Sequence, residues 1–119
     1  MKINFIKASA LALAAFALVG CQTAPTTLYQ WGLYEPQLNG YFKGESPVQQ
    51  IDVMEKHLQT SSAQGKQVPP GFHAHLGMLY SMAGKSEQVA AHFQEEKRLF
   101  PESGPYMNRL LETVAKGGR

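Results

Sequence analysis

The sequence predicts an all-α domain, and three observations lead to that fold class. Apolar residues recur at helical spacing in several segments, no segment alternates in the manner of a half-buried strand, and the same short connection appears twice between neighbouring segments. The chain has 119 residues, of which 44% are hydrophobic and 17% are charged, a composition that suits one small globular core. We expect the helical domain to span residues 29–119.

The first twenty residues have the composition of a secretory signal peptide. Lys2 and Lys7 give a positive start, and the twelve residues 8–19 are apolar apart from Ser9. A helix of that length spans roughly 18 Å, which is too short for a hydrocarbon core of about 30 Å. A buried core helix would show a polar stripe, and this segment has none. We therefore predict a cleaved signal peptide over residues 1–20.

The run Leu18-Val19-Gly20-Cys21 resembles the bacterial lipobox. The resemblance implies cleavage before Cys21, a thioether-linked diacylglycerol and an acylated amino group (a palmitate-type anchor), and several acyl chains hold a protein firmly on a membrane. Gln22 stands where an aspartate would retain such a lipoprotein in the inner membrane, so it implies the periplasmic face of the outer membrane. Residues 21–28 are then the lipidated cysteine and its tether. The alternative is an ordinary secreted protein with an incidental cysteine.

Charge and cysteine content exclude two classes of protein. Lys2 and Lys7 account for two of the eleven basic residues, which leaves nine Lys and Arg against nine Asp and Glu in the mature chain. A nucleic-acid-binding protein needs a basic surface, so no nucleic acid is expected as a partner. A single cysteine rules out an internal disulfide and any CxxC-type zinc or redox site.

Capping and helix-breaking residues delimit five expected helices. They span Glu35–Lys43, Pro47–Leu58, Phe72–Ala83, Ser86–Phe100 and Gly104–Lys116. Ser46 is a good N-cap, Pro47 suits the first helical position, and Gln49 completes a capping box. Pro101 ends the fourth helix. A polar linker with two prolines, residues 60–70, separates the second helix from the third.

The helical spacing also predicts which side chains form the core. The expected apolar faces are Val48, Ile51, Met54 and Leu58; Phe72, Leu76, Leu79, Tyr80 and Ala83; Val89, Phe93, Leu99 and Phe100; and Met107, Leu110, Leu111 and Val114. Each helix has one apolar face, and burying that face requires at least one neighbouring helix.

Two connections with the same pattern, Gly44-Glu45-Ser46 and Gly84-Lys85-Ser86, indicate two helical hairpins. In each, a glycine ends one helix and a serine begins the next, and so short a connection makes the two helices antiparallel neighbours. The remaining C-terminal helix is expected to cap the second hairpin.

The second hairpin resembles a tetratricopeptide repeat. Leu76-Gly77, Tyr80, Phe93 and Pro101 stand in phase with that family's pattern. Gly77 allows two helices to approach closely, while Tyr80 and Phe93 fill the groove between them. The positions that depart from the pattern are His73, Val89 and Glu96. The resemblance implies stacked antiparallel hairpins with a terminal capping helix.

A second resemblance covers most of the mature chain. Trp31-Gly32, Tyr34-Glu35 and the later Tyr41-Phe42-Lys43 are similar to a family of small proteobacterial lipoproteins catalogued as domain of unknown function 4810. Such proteins tend to be encoded beside a lipoprotein of the curli-secretion-channel type and a second small lipoprotein. The resemblance therefore implies an envelope complex, and it supplies no catalytic residues.

No catalytic constellation and no cofactor motif stand out. His73 and His75 are two residues apart, which points them to different sides of a helix, so we expect no metal centre. The alternative is a metal-dependent envelope hydrolase that uses His73, His75 and His92. Glu95-Glu96-Lys97-Arg98 is expected to be a solvated face, because adjacent carboxylates on a helix diverge.

Protein–protein binding is therefore the expected function. Trp31 and Tyr34 are expected to pack in the core of the first hairpin, although exposed rings there would anchor a partner. A further alternative is a glycan- or lipid-binding protein that uses the aromatic residues of positions 29–42. Repeat scaffolds bind partners with the exposed positions of their first helices. The partner-binding positions predicted on that basis are Gln37, Tyr41, Ala74, Met78 and Ser81. We expect a lipid-anchored periplasmic adaptor and not an enzyme.

Overall fold

The computed structural model describes residues 27–117, and within that range it is all-α, as the sequence predicts. The helices are α1 (Tyr34–Phe42), α2 (Pro47–Ala63), α3 (Phe72–Met82), α4 (Ser86–Leu99) and α5 (Gly104–Gly117), and a 3₁₀ turn at Pro101–Ser103 links the last two. Each helix packs against the next along the chain. The predicted signal peptide and Cys21 lie outside the described residues. Among the helices described, none has the length and apolarity needed to cross a membrane.

The two connections that share a sequence pattern also share a backbone conformation. Gly44 and Gly84 have φ values of 75° and 72°, which only glycine adopts without strain. The N–H groups of Glu45 and Lys85 each donate, at 3.0 Å, to the carbonyl oxygen five residues back. This is the Schellman arrangement that ends a helix, so the predicted turns are confirmed.

The expected serine caps are only partly present. Ser46 occupies the N-cap position of α2, but its side chain makes no capping hydrogen bond, so the predicted box with Gln49 does not form. The N-cap of α4 is Lys85, and Ser86 is already helical. In both connections the Schellman hydrogen bonds, and not a serine side chain, therefore set the direction of the chain between the two helices.

The second helix is longer than predicted, because it ends at Ala63 and not at Leu58. Its added turn is polar, and two hydroxyls there bond back to the helix. Thr60 donates to the carbonyl of Lys56 at 2.9 Å, and Ser61 donates to the carbonyl of His57 at 2.8 Å. Hydroxyls bonded in this way are compatible with continued helix, which sequence composition alone does not indicate.

The core lies mainly between α2, α3 and α4. Its buried apolar side chains are Tyr34, Ile51, Met54, Val68, Phe72, Leu76, Leu79, Tyr80, Val89, Phe93, Phe100 and Met107. Leu110, Leu111 and Val114 of α5 pack against this core while half-buried. The apolar faces predicted for α3, α4 and α5 are therefore those that pack inward.

The inward face of α2 agrees with the prediction except at Val48. Ile51 and Met54 are buried and Leu58 packs against the core, but Val48 is exposed, because the buried stripe is rotated away from it toward polar residues. Gln50 donates to a backbone carbonyl before the helix, His57 donates to the carbonyl of Gln30, and Ser61 donates within the helix. Hydrogen bonds of this kind offset the cost of burying polar groups.

The close approach predicted at Gly77 is confirmed. A Cβ atom added there would lie 2.6 Å from Cε1 of Phe93, well inside van der Waals contact. The Phe93 ring therefore occupies the volume that a side chain of α3 would need. This contact sets the distance between α3 and α4.

The N-terminal segment, residues 27–33, lies over α2 and the connection that follows it. The Gln30 N–H donates to the carbonyl of Gln67 at 2.7 Å, and Tyr29 and Gln67 form an isolated parallel bridge. Tyr34 enters the core as predicted, whereas the prediction that Trp31 does so is wrong. Trp31 is 40% exposed and stacks on the outside of Tyr34.

The inward place next to His57 is taken by the backbone of Gly32, where even a Cβ atom would collide with the imidazole ring. Gly32 turns the chain with a φ of 39°, so the indole that precedes it is left at the surface. The sequence pattern Trp-Gly therefore marks a turn that exposes the tryptophan.

Glu96 corrects the prediction that the charged run of α4 is a solvated face. Its carboxylate is buried and accepts hydrogen bonds from the backbone N–H groups of Gly71 at 2.6 Å, His73 at 3.1 Å and Ala74 at 3.3 Å. These donors are the free N–H groups of the first turn of α3. Burial raises the pKa of Glu96, and the three backbone hydrogen bonds oppose that rise. Glu95, one position earlier, instead pairs with Arg98 at the surface.

We predict that Glu96→Ala lowers the free energy of unfolding by about 1–3 kcal/mol, because it leaves buried N–H donors without an acceptor. Glu95→Ala is the matched control on the same helix and should cost less than about 1 kcal/mol, as is usual for a surface ion pair. Denaturant unfolding of both variants measures the difference. Equal losses in the two variants would contradict the capping role.

A candidate protein-binding groove

An apolar groove opens between α1, α3, α4 and α5. It encloses a cavity of about 230 Å³. Its lining residues are Tyr41, Met78, Ser81, Met82, Phe93, Leu110, Thr113 and Val114. Phe93 is the buried floor, while Met82 at the rim is 60% exposed. The groove is therefore a concave surface whose walls are mostly aliphatic and aromatic.

A second, more polar cavity of about 280 Å³ adjoins the first along α5. The two share Ser81, Thr113 and Val114, and the second extends to Ser86 and Val89 at the start of α4. Together they form one elongated depression between α3 and α5.

Three of the five predicted partner-binding positions meet in this groove. Tyr41, Met78 and Ser81 line it, although they come from two helices far apart in sequence. Ala74 is half-buried and packs against the core one turn before Met78, so it is not part of the lining. Gln37 is half-buried on α1, also outside the lining.

The sequence reasoning missed the contribution of α5. Leu110 and Val114 carry the helical spacing that predicts core positions, and they are only half-buried because the groove lies beside them. Met82 is absent from the predicted set because it lies one residue after Ser81, the last partner-binding position predicted on α3. The sequence feature that indicates this contribution is the strong amphipathicity of α5. Its apolar face has too few neighbouring helices to cover it, so part of that face is left to line the groove.

The groove is bordered by further aromatic contacts on α1. The Tyr41 ring meets Phe42 edge-on at 5.4 Å and His75 at 5.2 Å. Phe42 is itself largely exposed, so the apolar surface continues beyond the groove. The aromatic residues of positions 29–42 do not form a single cluster, because Tyr29 packs against Phe100 and Tyr34 lies in the core.

A second group of interacting side chains joins α2, α3 and α4. His73 and His92 approach with their Nδ1 atoms 3.0 Å apart, and their rings stack. His92 Nε2 lies 3.3 Å from Oε1 of Glu55, which also accepts a hydrogen bond from the Tyr80 hydroxyl at 2.8 Å. Since a carboxylate only accepts, a neutral His92 carries its proton on Nε2, and His73 then donates from Nδ1 to His92.

Burial governs the ionisation of both histidines. Burial, and to a smaller extent the neighbouring His92, lower the pKa of His73 to about 4. Burial also lowers the pKa of His92, against an opposing effect of Glu55. Both imidazoles are therefore neutral at pH 7, in keeping with a hydrogen bond between two neutral rings.

The three histidines of the alternative metal site do not converge. His75 lies on another side of α3, where its ring faces Tyr34 and Tyr41. Within residues 27–117, no three or more His, Cys, Asp and Glu side chains are arranged to hold a metal ion. The observed pair of His73 and His92 is engaged in a hydrogen bond with the ring nitrogens that face each other.

We predict that the protein loses stability as the pH falls from 6.5 toward 4. In that range the unfolded chain protonates His73 and the folded chain does not, which costs roughly 3 kcal/mol from this residue. His73→Asn retains a hydrogen-bonding group and removes the titration, so its stability should depend less steeply on pH. Denaturant unfolding of both proteins across this range measures the effect. Parallel curves would contradict it.

Comparison with known proteins identifies the family. No curated protein and no solved structure matches the chain. A family model described as Domain of unknown function (DUF4810) matches residues 28–110, a range that contains α1 to α4 and the first half of α5. The sequence-based resemblance to this family is confirmed by that match. Because it covers well over half of the 119 residues, the chain belongs to the DUF4810 family.

Proposed function

We propose that this protein is a lipid-anchored adaptor on the periplasmic face of the outer membrane, and that its groove binds a helix of another envelope protein. The observation that carries the proposal is the open apolar groove between α1, α3 and α5. Surfaces of this kind are costly in water, and proteins keep them to bind partners.

The shape of the groove favours a helical partner. Its walls are formed by helices, its lining is mainly Tyr41, Met78, Met82 and Leu110, and the adjoining cavity lengthens it along α5. An amphipathic helix places apolar side chains into such a groove at three- and four-residue spacing. Methionine side chains at two of these positions adapt easily to the shape of a partner.

A tetratricopeptide-like architecture would also make this groove the partner-binding surface. The Gly77–Phe93 contact, the buried Tyr80 and the two matching hairpin turns support this interpretation. In such scaffolds the first helix of each hairpin faces the ligand. Here α1 and α3 are those first helices, and they supply Tyr41, Met78, Ser81 and Met82 to the groove.

The lipobox resemblance and the family context support the location and the class of partner. Cys21 is the sole cysteine and stands where the lipobox requires it. The resemblance to small lipoproteins encoded beside a curli-secretion-channel-type lipoprotein makes that companion the first partner to test. The proposed role is to hold such envelope proteins together and not to catalyse a reaction.

We predict that Met82→Glu abolishes partner binding, because it places a charge on the apolar wall of the groove. Tyr106→Glu is the matched control, since Tyr106 is 58% exposed against 60% for Met82 and does not line the groove. A photo-crosslinker at Ser81 and co-purification of the companion lipoprotein from cell envelopes measure binding. Retained binding in Met82→Glu, or equal loss in Tyr106→Glu, would exclude the groove as the binding surface.

The anchor has its own test. Cys21→Ser removes the thiol to which the lipid would be attached, so the precursor should take up no labelled palmitate and should stay uncleaved. Metabolic labelling and gel mobility of the two forms measure this. Normal palmitate incorporation in the variant would refute lipidation at Cys21.

A further inference from the structure

A second exposed apolar surface lies at the N-terminal segment. Leu28 is 87% exposed, Leu33 is 50% exposed and Trp31 is 40% exposed, all within six consecutive residues. Single exposed apolar side chains are common, but three large ones in so short a segment are not. We refer to Leu28, Trp31 and Leu33 together as the patch. None of them lines the groove of the proposed function.

The fold holds this patch in place. The Gln30 N–H donates to the carbonyl of Gln67, and the Gln30 carbonyl accepts from His57 Nε2 at 3.0 Å. Trp31 is supported from below by the buried Tyr34. The exposure of the three side chains is therefore imposed by backbone contacts and by the turn at Gly32.

Two lysines border the patch. Lys56 lines a cavity of about 340 Å³ together with Leu33 and Val53. Lys66 Nζ lies 3.5 Å from Oε1 of Gln30, between Leu28 and Trp31 in the chain. Apolar side chains beside lysines fit the surface of an anionic bilayer, where rings and aliphatic chains enter the headgroup region and ammonium groups meet phosphates.

The chain length between the patch and the proposed anchor favours a membrane as the occupant. Residues 21–27 reach at most about 25 Å when fully extended. A lipid on Cys21 therefore keeps Leu28 close to the bilayer, whereas the groove lies on other elements of the domain. Tryptophan at such a position matches its general preference for the membrane–water interface.

We infer that Leu28, Trp31 and Leu33, flanked by Lys56 and Lys66, rest on the phospholipid surface and orient the domain there. This inference rests on the proposed lipid anchor at Cys21. Because the patch and the groove share no residue, contact with the bilayer leaves the groove open to a protein partner.

Trp31 is the only tryptophan in the chain, so its fluorescence reports on this surface alone. The experiment uses the protein isolated from cell envelopes and reconstituted into vesicles of phosphatidylethanolamine and phosphatidylglycerol. We expect a shift of Trp31 emission to shorter wavelength and quenching by lipids that carry a spin label near the headgroup. Emission that stays water-like and is unaffected by these lipids would overturn the inference.

Matched variants separate the patch from general hydrophobicity. Leu28→Ser combined with Leu33→Ser should reduce the lipid quenching of Trp31, whereas Phe42→Ser, at an exposed aromatic residue elsewhere, should not. Lys56→Gln combined with Lys66→Gln should reduce it in anionic vesicles. Equal quenching in all variants would mean that the tether alone places Trp31 near lipid, and would overturn the inference.

Two further readouts distinguish this inference from the anchor and from a protein partner. Mass spectrometry of the same sample determines whether Cys21 carries lipid. If its thiol is free, the proposed function fails, and Cys21 is coupled to a maleimide-bearing lipid before the quenching is measured again. Protection of Trp31 in cell envelopes but not in pure lipid vesicles would assign the patch to a protein partner and overturn the inference.

Discussion

The buried carboxylate of Glu96 is the interaction on which the arrangement of α3 depends. Helix α3 starts after Gly71, which has no side chain to cap it, and its first N–H groups point into the protein. Glu96 comes from the last turn of α4 and satisfies them, with its negative charge at the positive end of the dipole of α3. The contact between Gly77 and Phe93 and the hydrogen bonds to Glu96 therefore fix the register of α3 against α4 at two separate places.

Once α3 is fixed, it makes three sets of contacts along its length. Gly77 faces the Phe93 ring, His73 faces His92, and Met78, Ser81 and Met82 face the groove. A shift of α3 along its axis would disturb all three contacts together, because helix packing is not continuously adjustable. The polar contacts between α3 and α4 therefore also determine the shape of the proposed binding surface.

The molecule buries polar residues while it leaves large apolar ones exposed. Gln50, His57 and Glu96 are buried in hydrogen-bonded positions, whereas Phe42 and Met82 project outward. Polar side chains are usually exposed and large apolar side chains are usually buried, so both features are unusual. Exposed apolar surface is the one that points to binding sites. Among the described residues, five of the eight large exposed apolar side chains lie beside the groove or in the N-terminal segment, in keeping with the proposed contacts with another protein and with a membrane.

The sequence by itself determined the features that depend on neighbours along the chain. Helical spacing, the Gly-x-Ser connections and the small residue at Gly77 gave the fold class, the hairpin turns and the close helix contact, because each reflects backbone conformation or one turn of helix. Tertiary structure alone decided that Glu96 is buried, that Trp31 is exposed and that His73 meets His92. The contacts of Glu96 and of the two histidines join residues 19 to 25 positions apart, and the exposure of Trp31 depends on the contact of the Gly32 backbone with His57. Helical spacing does not specify contacts of this kind, because it records only which residues share a face of one helix.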